Sequence, residues 1–171
     1  MSHAVYATGT TASADGLPGV DELDDAAIAS AAGDRHATAR VITILRPLVT
    51  RLCRAELGSG AGVDERAAGI CRDVAVAVVT ARRGPRLRIA YEATLRALDG
   101  VRRDSPAVLD GVSRRGREVL TLRIAVGLSV EQAAAALGIA PGRVRVEQHR
   151  ALTALRTPTV RGAGGAAGST A

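Results

Sequence analysis

A chain of 171 residues with 47% hydrophobic content is long enough for one ordinary domain or two small helical ones. With no Phe, no Trp and only Tyr6 and Tyr91 as aromatics, any core must be built from Ala, Val, Leu and Ile. All 23 basic side chains are Arg; residues 1–80 hold seven of them and ten acids, a net −3, whereas residues 81–171 hold sixteen and seven acids, a net +9. The second half is therefore the candidate polyanion binder.

No segment approaches the roughly 18 uninterrupted apolar residues that span a bilayer, and the N-terminus lacks a basic stretch followed by an apolar run. The expectation is a soluble, cytoplasmic protein with no membrane partner. Cys53 and Cys71 sit at helical positions among apolar neighbours, with no Cys-x-x-Cys or Cys/His cluster beside them. They read as core thiols in a reducing compartment, with no metal and no cofactor implied.

Residues 1–20 mix Gly, Ser, Thr and Ala without apolar periodicity, and residues 158–171 do the same; both are expected to be disordered tails. Between them apolar residues recur at three and four positions rather than two, which predicts an all-α body. A first helix is predicted from Asp21 to Ala32, with acids in its opening turn where the helix dipole favours them. A second runs from Arg35 to Leu57 with Val41, Ile44, Leu45, Leu48 and Leu52 in one stripe, at the cost of the hydrogen bond that Pro47 cannot make. A third covers Asp64 to Thr80, with Ile70, Cys71, Val74 and Val78 on one side. A fourth follows Gly84-Pro85, from Arg86 to Val101, with Leu87, Tyr91, Leu95 and Leu98 inward. Residues 21–103 thus make an N-terminal helical bundle, and residues 104–157 a second domain.

That second domain carries the most specific pattern. An apolar helix through Val119, Leu120, Leu122, Ile124 and Val126 ends at Gly127. Ser129 then stands three residues before Gln132, the spacing at which each side chain satisfies the other's backbone N–H at a helix start. The short helix stops at Gly138, a residue suited to the left-handed conformation of a tight turn. Pro141 opens the next helix, where its missing N–H does no harm. Short helix, glycine turn and longer helix are the order of a helix-turn-helix, whose second helix enters the major groove. On that helix Val144, Gln148, Ala151, Leu152 and Leu155 are expected to face the bundle. Arg143 and Arg145 are placed to donate to guanine edges and Val146 to meet a thymine methyl, while His149, Arg150 and Arg156 suit phosphate. Ser129 at the hinge completes the candidate DNA-binding set. His149 has no second ligand or base nearby, and no phosphate-binding Gly-rich loop, nucleophile with a base, or carboxylate pair argues for catalysis.

The stretch from Arg117 to Leu152, with its Arg-Glu-Val-Leu entry, Gly-Leu-Ser hinge and Gln-His-Arg-Ala-Leu tail, resembles region 4 of the sigma-70-family factors. It is most similar to the extracytoplasmic-function-like sigma factors of actinobacteria. The resemblance implies a transcription initiation factor that reads the −35 promoter element through this region and recruits RNA polymerase core, with an anti-sigma factor as a further partner. Upstream, Ala26 to Leu57 is similar to the opening helices of region 2, and Val74 to Ala81 to the helix that binds the polymerase clamp. Asp73 and Val74 are then the implied polymerase contacts, and Tyr91, Arg102 and Arg103 fall where the family reads the −10 element.

The chain departs from the family at three places. The clamp-helix pattern Asp-x-x-x-Gln-Glu/Asp stands here as Gly69 to Asp73, in which only Asp73 keeps its character. Tyr91 is the only aromatic candidate for base stacking, and its place on an amphipathic helix favours a core role instead. Arg103 is followed almost at once by region 4, although elements about 17 base pairs apart lie on the order of 58 Å from each other. Two other functions remain open from the residues alone. One is a stand-alone helix-turn-helix regulator without polymerase recruitment; the other is a modulator that occupies the polymerase flap or a sigma partner.

Overall fold

A computed structural model of the protein describes residues 16–101, 109 and 111–156. Among these the regular structure is entirely helical. A 3-10 turn, Val20–Glu22, leads into α1 (Leu23–Ala31), followed by α2 (Arg35–Leu57), α3 (Val63–Thr80) and α4 (Arg86–Leu98). Then come α5 (Arg114–Leu120), which widens into a π-helical turn at Thr121–Val126, α6 (Val130–Leu137) and α7 (Pro141–Arg156). The all-α expectation stands.

Local chemistry sets the helix limits. Asp34 opens α2 by accepting the N–H groups of His36 and Ala37 at 2.8 and 3.2 Å, which removes two of the unpaired donors at a helix start. The helix passes through Pro47 and ends at Gly58, whose φ of +82° a residue with a Cβ would resist. Its stripe of Val41, Ile44, Leu45, Leu48 and Leu52 is buried, and α3 packs on it through Ile70, Cys71, Val74 and Val78. α4 closes the bundle with Leu87, Tyr91 and Leu98. It ends at Leu98 rather than at Val101, because Gly100 turns the chain with φ +83°.

One expectation is corrected at the N-terminus. Composition assigned residues 1–20 to a disordered tail, yet Leu17 and Val20 are buried and belong to the main core, and Gly16 and Gly19 take left-handed conformations that let the segment fold back. Two apolar side chains in a Gly- and Pro-rich stretch give no periodicity to detect. The rest of that tail, the C-terminal tail and the stretch 102–108, with Arg102 and Arg103, lie outside the described residues.

The C-terminal helices pack directly on the N-terminal bundle. The π-helical turn lies against α2, and α6 lies against α4. Leu122, Val126, Leu128, Ala133, Leu137 and Val144 join the same apolar cluster as Leu45 and Leu48. Arg51 on α2 donates to the carbonyl of Val126 at 2.8 Å. The Arg88 guanidinium lies over Gly138, close enough that a Cβ there would stand 2.6 Å from its Nη1. A smaller cluster, Val112, Leu120 and Ala151, joins α5 to α7 on the far side.

Candidate nucleic-acid interface

The hinge between the π-helical turn and α6 is built from polar side chains. The Ser129 hydroxyl accepts the Gln132 N–H at 3.0 Å, and the Gln132 side-chain oxygen accepts the Ser129 N–H at 3.1 Å, forming the reciprocal cap that the spacing predicts. Gln132 does more than the sequence indicates. The same oxygen accepts the Leu17 N–H at 2.8 Å, and its amide nitrogen donates to the Leu17 carbonyl at 3.2 Å and to Asp21 at 3.3 Å. The N-terminal strap is thus tied to the first residues of the helix-turn-helix.

At the other end of α6, the N–H groups of Gly138 and Ile139 both return to the Ala134 carbonyl, with Gly138 at φ +64°. Arg123 secures the turn from beneath. It donates to the Leu128 carbonyl, and its Nε reaches Gln148 on α7 at 3.2 Å. Burial holds its guanidinium below the usual arginine range, with Glu131 opposing that shift and Arg145 adding to it. Hydrogen bonds to a carbonyl and an amide supply the partners that a buried cation requires.

α7 is thus tied to the preceding turn, with Val144, Glu147 and Ala151 turned inward. Arg143, Arg145, Val146, His149 and Arg150 are all exposed on its other faces, as their spacing predicts. Arg145 pairs with Glu131 of α6 at 3.0 Å. Glu147 forms ion pairs with Arg143 at 2.9 Å and with Arg150 at 3.6 Å. Beside this helix a cleft of about 420 Å³ runs to the start of α5, lined by Ser113, Arg115, Arg143, Glu147 and Arg150 among others. The expectation for Gln148 is corrected: Glu147 takes the inward place and is 5% exposed, whereas Gln148 is half-buried at the edge. The position of Glu147, four residues after Arg143 and three before Arg150, was the available signal.

The remaining candidates are dispersed. Ser129 is 8% exposed, with its hydroxyl committed to the cap. On α3, Asp73 is exposed but Val74 is 1% exposed and faces the core; the apolar side chain beside Asp73 on the outer surface is Val76, at 64%. Tyr91 is 7% exposed and contributes to the core. Among the described residues no group of His, Cys, Asp and Glu is placed to hold a metal ion, and no helix is long and apolar enough to cross a membrane.

A helix-turn-helix with an arginine-bearing outer helix, seated on a bundle of four helices, defines a helical DNA-binding transcription protein. The comparisons with known proteins narrow that class. The sigma-70 region 4 family matches residues 108–157. The ECF RNA polymerase sigma factor SigD of Mycobacterium tuberculosis (strain ATCC 25618 / H37Rv) is 34% identical over 184 residues, a match that covers 82% of this chain and 85% of SigD. The ECF RNA polymerase sigma factor ShbA of Streptomyces griseus is 51% identical over 49 residues, 29% of this chain and 26% of its own. Among solved structures, CnrH in complex with the cytosolic domain of CnrY shares the fold with a TM-score of 0.52 and 22% identity, over 77% of this chain and 93% of that one. The chain belongs to the ECF RNA polymerase sigma factors, a branch of the sigma-70 family. It is a transcription initiation factor, and as such its partners are RNA polymerase core and promoter DNA.

Proposed function

We propose that this sigma factor grips its promoter chiefly through α7, with Arg143 and Arg145 donating to base edges, Val146 meeting a thymine methyl, and His149 and Arg150 on phosphate. The observation that carries this reading is the exposure of those five side chains on a helix that Arg123 braces through Gln148 and that packs on α6. A buried, hydrogen-bonded support keeps the reading helix in place before it meets DNA, which lowers the ordering cost of binding.

The second contact surface is the outer face of α3, where Asp73 supplies a charge and Val76 an apolar patch for the polymerase. Val76 takes the place that the sequence pattern gave to Val74, whose side chain is in the core. Tyr91 is 7% exposed and lies in the core, so −10 recognition through its ring requires the packing around it to open. An anti-sigma partner belongs to the same reading, and the capture of CnrH with the cytosolic domain of a second protein supports it.

The test combines the protein with RNA polymerase core, measures complex formation, and follows single-round transcription from promoter fragments. The expected result is a stable complex with promoter-specific transcripts. Replacing Arg143 and Arg145 together by Ala should lower specific transcription by at least tenfold, since each bidentate guanine pair is worth about 1–3 kcal/mol. Asp73→Arg should weaken polymerase binding and leave DNA binding unchanged. Sequence-specific DNA binding without any polymerase complex would replace this proposal with a stand-alone regulator.

A further inference from the structure

Glu147 is the single buried carboxylate among the described residues, and it lies on the helix proposed to read DNA. An acid in that position is costly twice over. It is withdrawn from water, and it stands among side chains that must approach a polyanion. Both costs have the same compensation in the structure, because one carboxylate oxygen faces Arg143 at 2.9 Å from the turn before it and Arg150 at 3.6 Å from the turn after it. The two arginine side chains stay 60% and 67% exposed, so the ion pairs leave N–H groups of both for a ligand.

The carboxylate is itself packed into the interior. It belongs to the inward row of α7 with Val144 and Ala151, and it lines the floor of the cleft that reaches Ser113 and Arg115 at the start of α5. A free arginine samples many rotamers and, near DNA, satisfies itself on any phosphate. An arginine held along one edge by a fixed carboxylate has one preferred direction and a reduced net charge. The first property favours a defined base contact, and the second weakens indiscriminate attraction to phosphate.

We propose that Glu147 is a positioning residue for promoter discrimination: it aims Arg143 at its base edge and tempers the attraction of both Arg143 and Arg150 to non-promoter phosphates. The proposal rests on the reading of α7 as the DNA-contacting helix and goes beyond it by assigning specificity to a residue that does not itself reach a base.

The test uses the full chain bound to RNA polymerase core, with a promoter fragment selected from a random library by the unaltered complex and a non-promoter duplex of equal length as competitor. Glu147→Gln keeps the shape and removes the charge. The expected result is a promoter-to-competitor affinity ratio lowered about tenfold, with competitor binding equal or tighter. The salt dependence of competitor binding should steepen by about one unit of slope, the mark of one more phosphate neutralised. A purely structural role would weaken both duplexes together and leave the ratio intact, and that result would overturn the proposal. If Gln at this position is not tolerated, Glu147→Asp, which keeps the charge but withdraws it by one methylene from both arginines, must lower the same ratio. Arg143→Ala separates the two levels. If it leaves promoter binding unchanged, the reading of α7 fails; if it lowers promoter binding while Glu147→Gln leaves the ratio unaltered, only the present inference fails.

Discussion

The N-terminal bundle and the helix-turn-helix are held by different kinds of interaction. From Leu23 to Leu98 the interior is apolar, with Thr94 as the one buried polar residue, and its hydroxyl only returns to the Ala90 carbonyl one turn back. From Arg114 to Arg156 four polar or charged side chains are buried, Arg123, Ser129, Gln132 and Glu147, and each is hydrogen-bonded or ion-paired. The bundle centres on two long helices, α2 and α3, that need only a continuous stripe. The helix-turn-helix sets two short helices, α5 and α6, at sharp turns before α7, where backbone groups left over at the ends must be satisfied by side chains. Apolar contacts set how firmly such a protein folds, and polar ones set the angle at which its reading helix is presented.

Removing apolar packing in the bundle should give the largest effect. Leu45 is fully buried on α2, and Leu45→Ala should cost about 2–5 kcal/mol in chemical denaturation, by lost transfer energy plus the cavity left behind. A much smaller loss would mean that the all-aliphatic interior relaxes into cavities, and the contrast between the two regions would weaken accordingly.

Gln132→Ala should come second, at about 1–3 kcal/mol, because it strips partners from the Ser129 and Leu17 N–H groups at once. Hydrogen exchange at Leu17 should accelerate far more than at Val49 in the heart of α2. Equal acceleration at both sites would show that the strap and the bundle open as one unit.

The smallest effect belongs to the exposed Arg54–Asp64 pair that bridges the end of α2 and the start of α3. Arg54→Ala should leave the melting temperature unchanged within error, since solvent screens the pair. The side-chain hydrogen bond from Arg54 holds the Asp64 carboxyl below the ordinary carboxylate range. A depressed acid contributes stability above its unfolded pKa and loses it as pH falls through the folded one, so the small contribution of the pair is present at neutral pH and disappears on the acid side. Carbon-detected NMR titration should find the Asp64 midpoint below that of a model peptide, and Arg54→Ala should restore it.

This contrast also decides what the sequence could reveal. α2 is read at Arg35–Leu57 with both limits correct, because Gly33-Asp34 and the Gly-rich loop after Leu57 bracket a continuous stripe. The Ser129–Gln132 cap, the Gly138 turn and Pro141 are local signals and are equally legible. Partners distant in the chain are not. Nothing near Gln132 announces that its amide also binds Leu17, 115 residues away, whereas the helical periodicity that turns Tyr91 inward agrees with its burial. The π-helical turn at Thr121–Val126 is hidden for a related reason: its apolar residues fit an ordinary helix, and the widening shows only in the backbone hydrogen bonds.

The two cysteines lie on α2 and α3, both buried, and burial pushes the Cys53 thiol up to about 11 and raises that of Cys71 as well. At neutral pH neither offers much thiolate to a labelling reagent while the bundle is closed. The native chain therefore carries its own clock: the rate at which a thiol reagent reacts records how often the α2–α3 seam parts. Because the described part of the helix-turn-helix has no cysteine, one placed on the exposed surface of α7 would time that region separately, in the same tube and with the same chemistry.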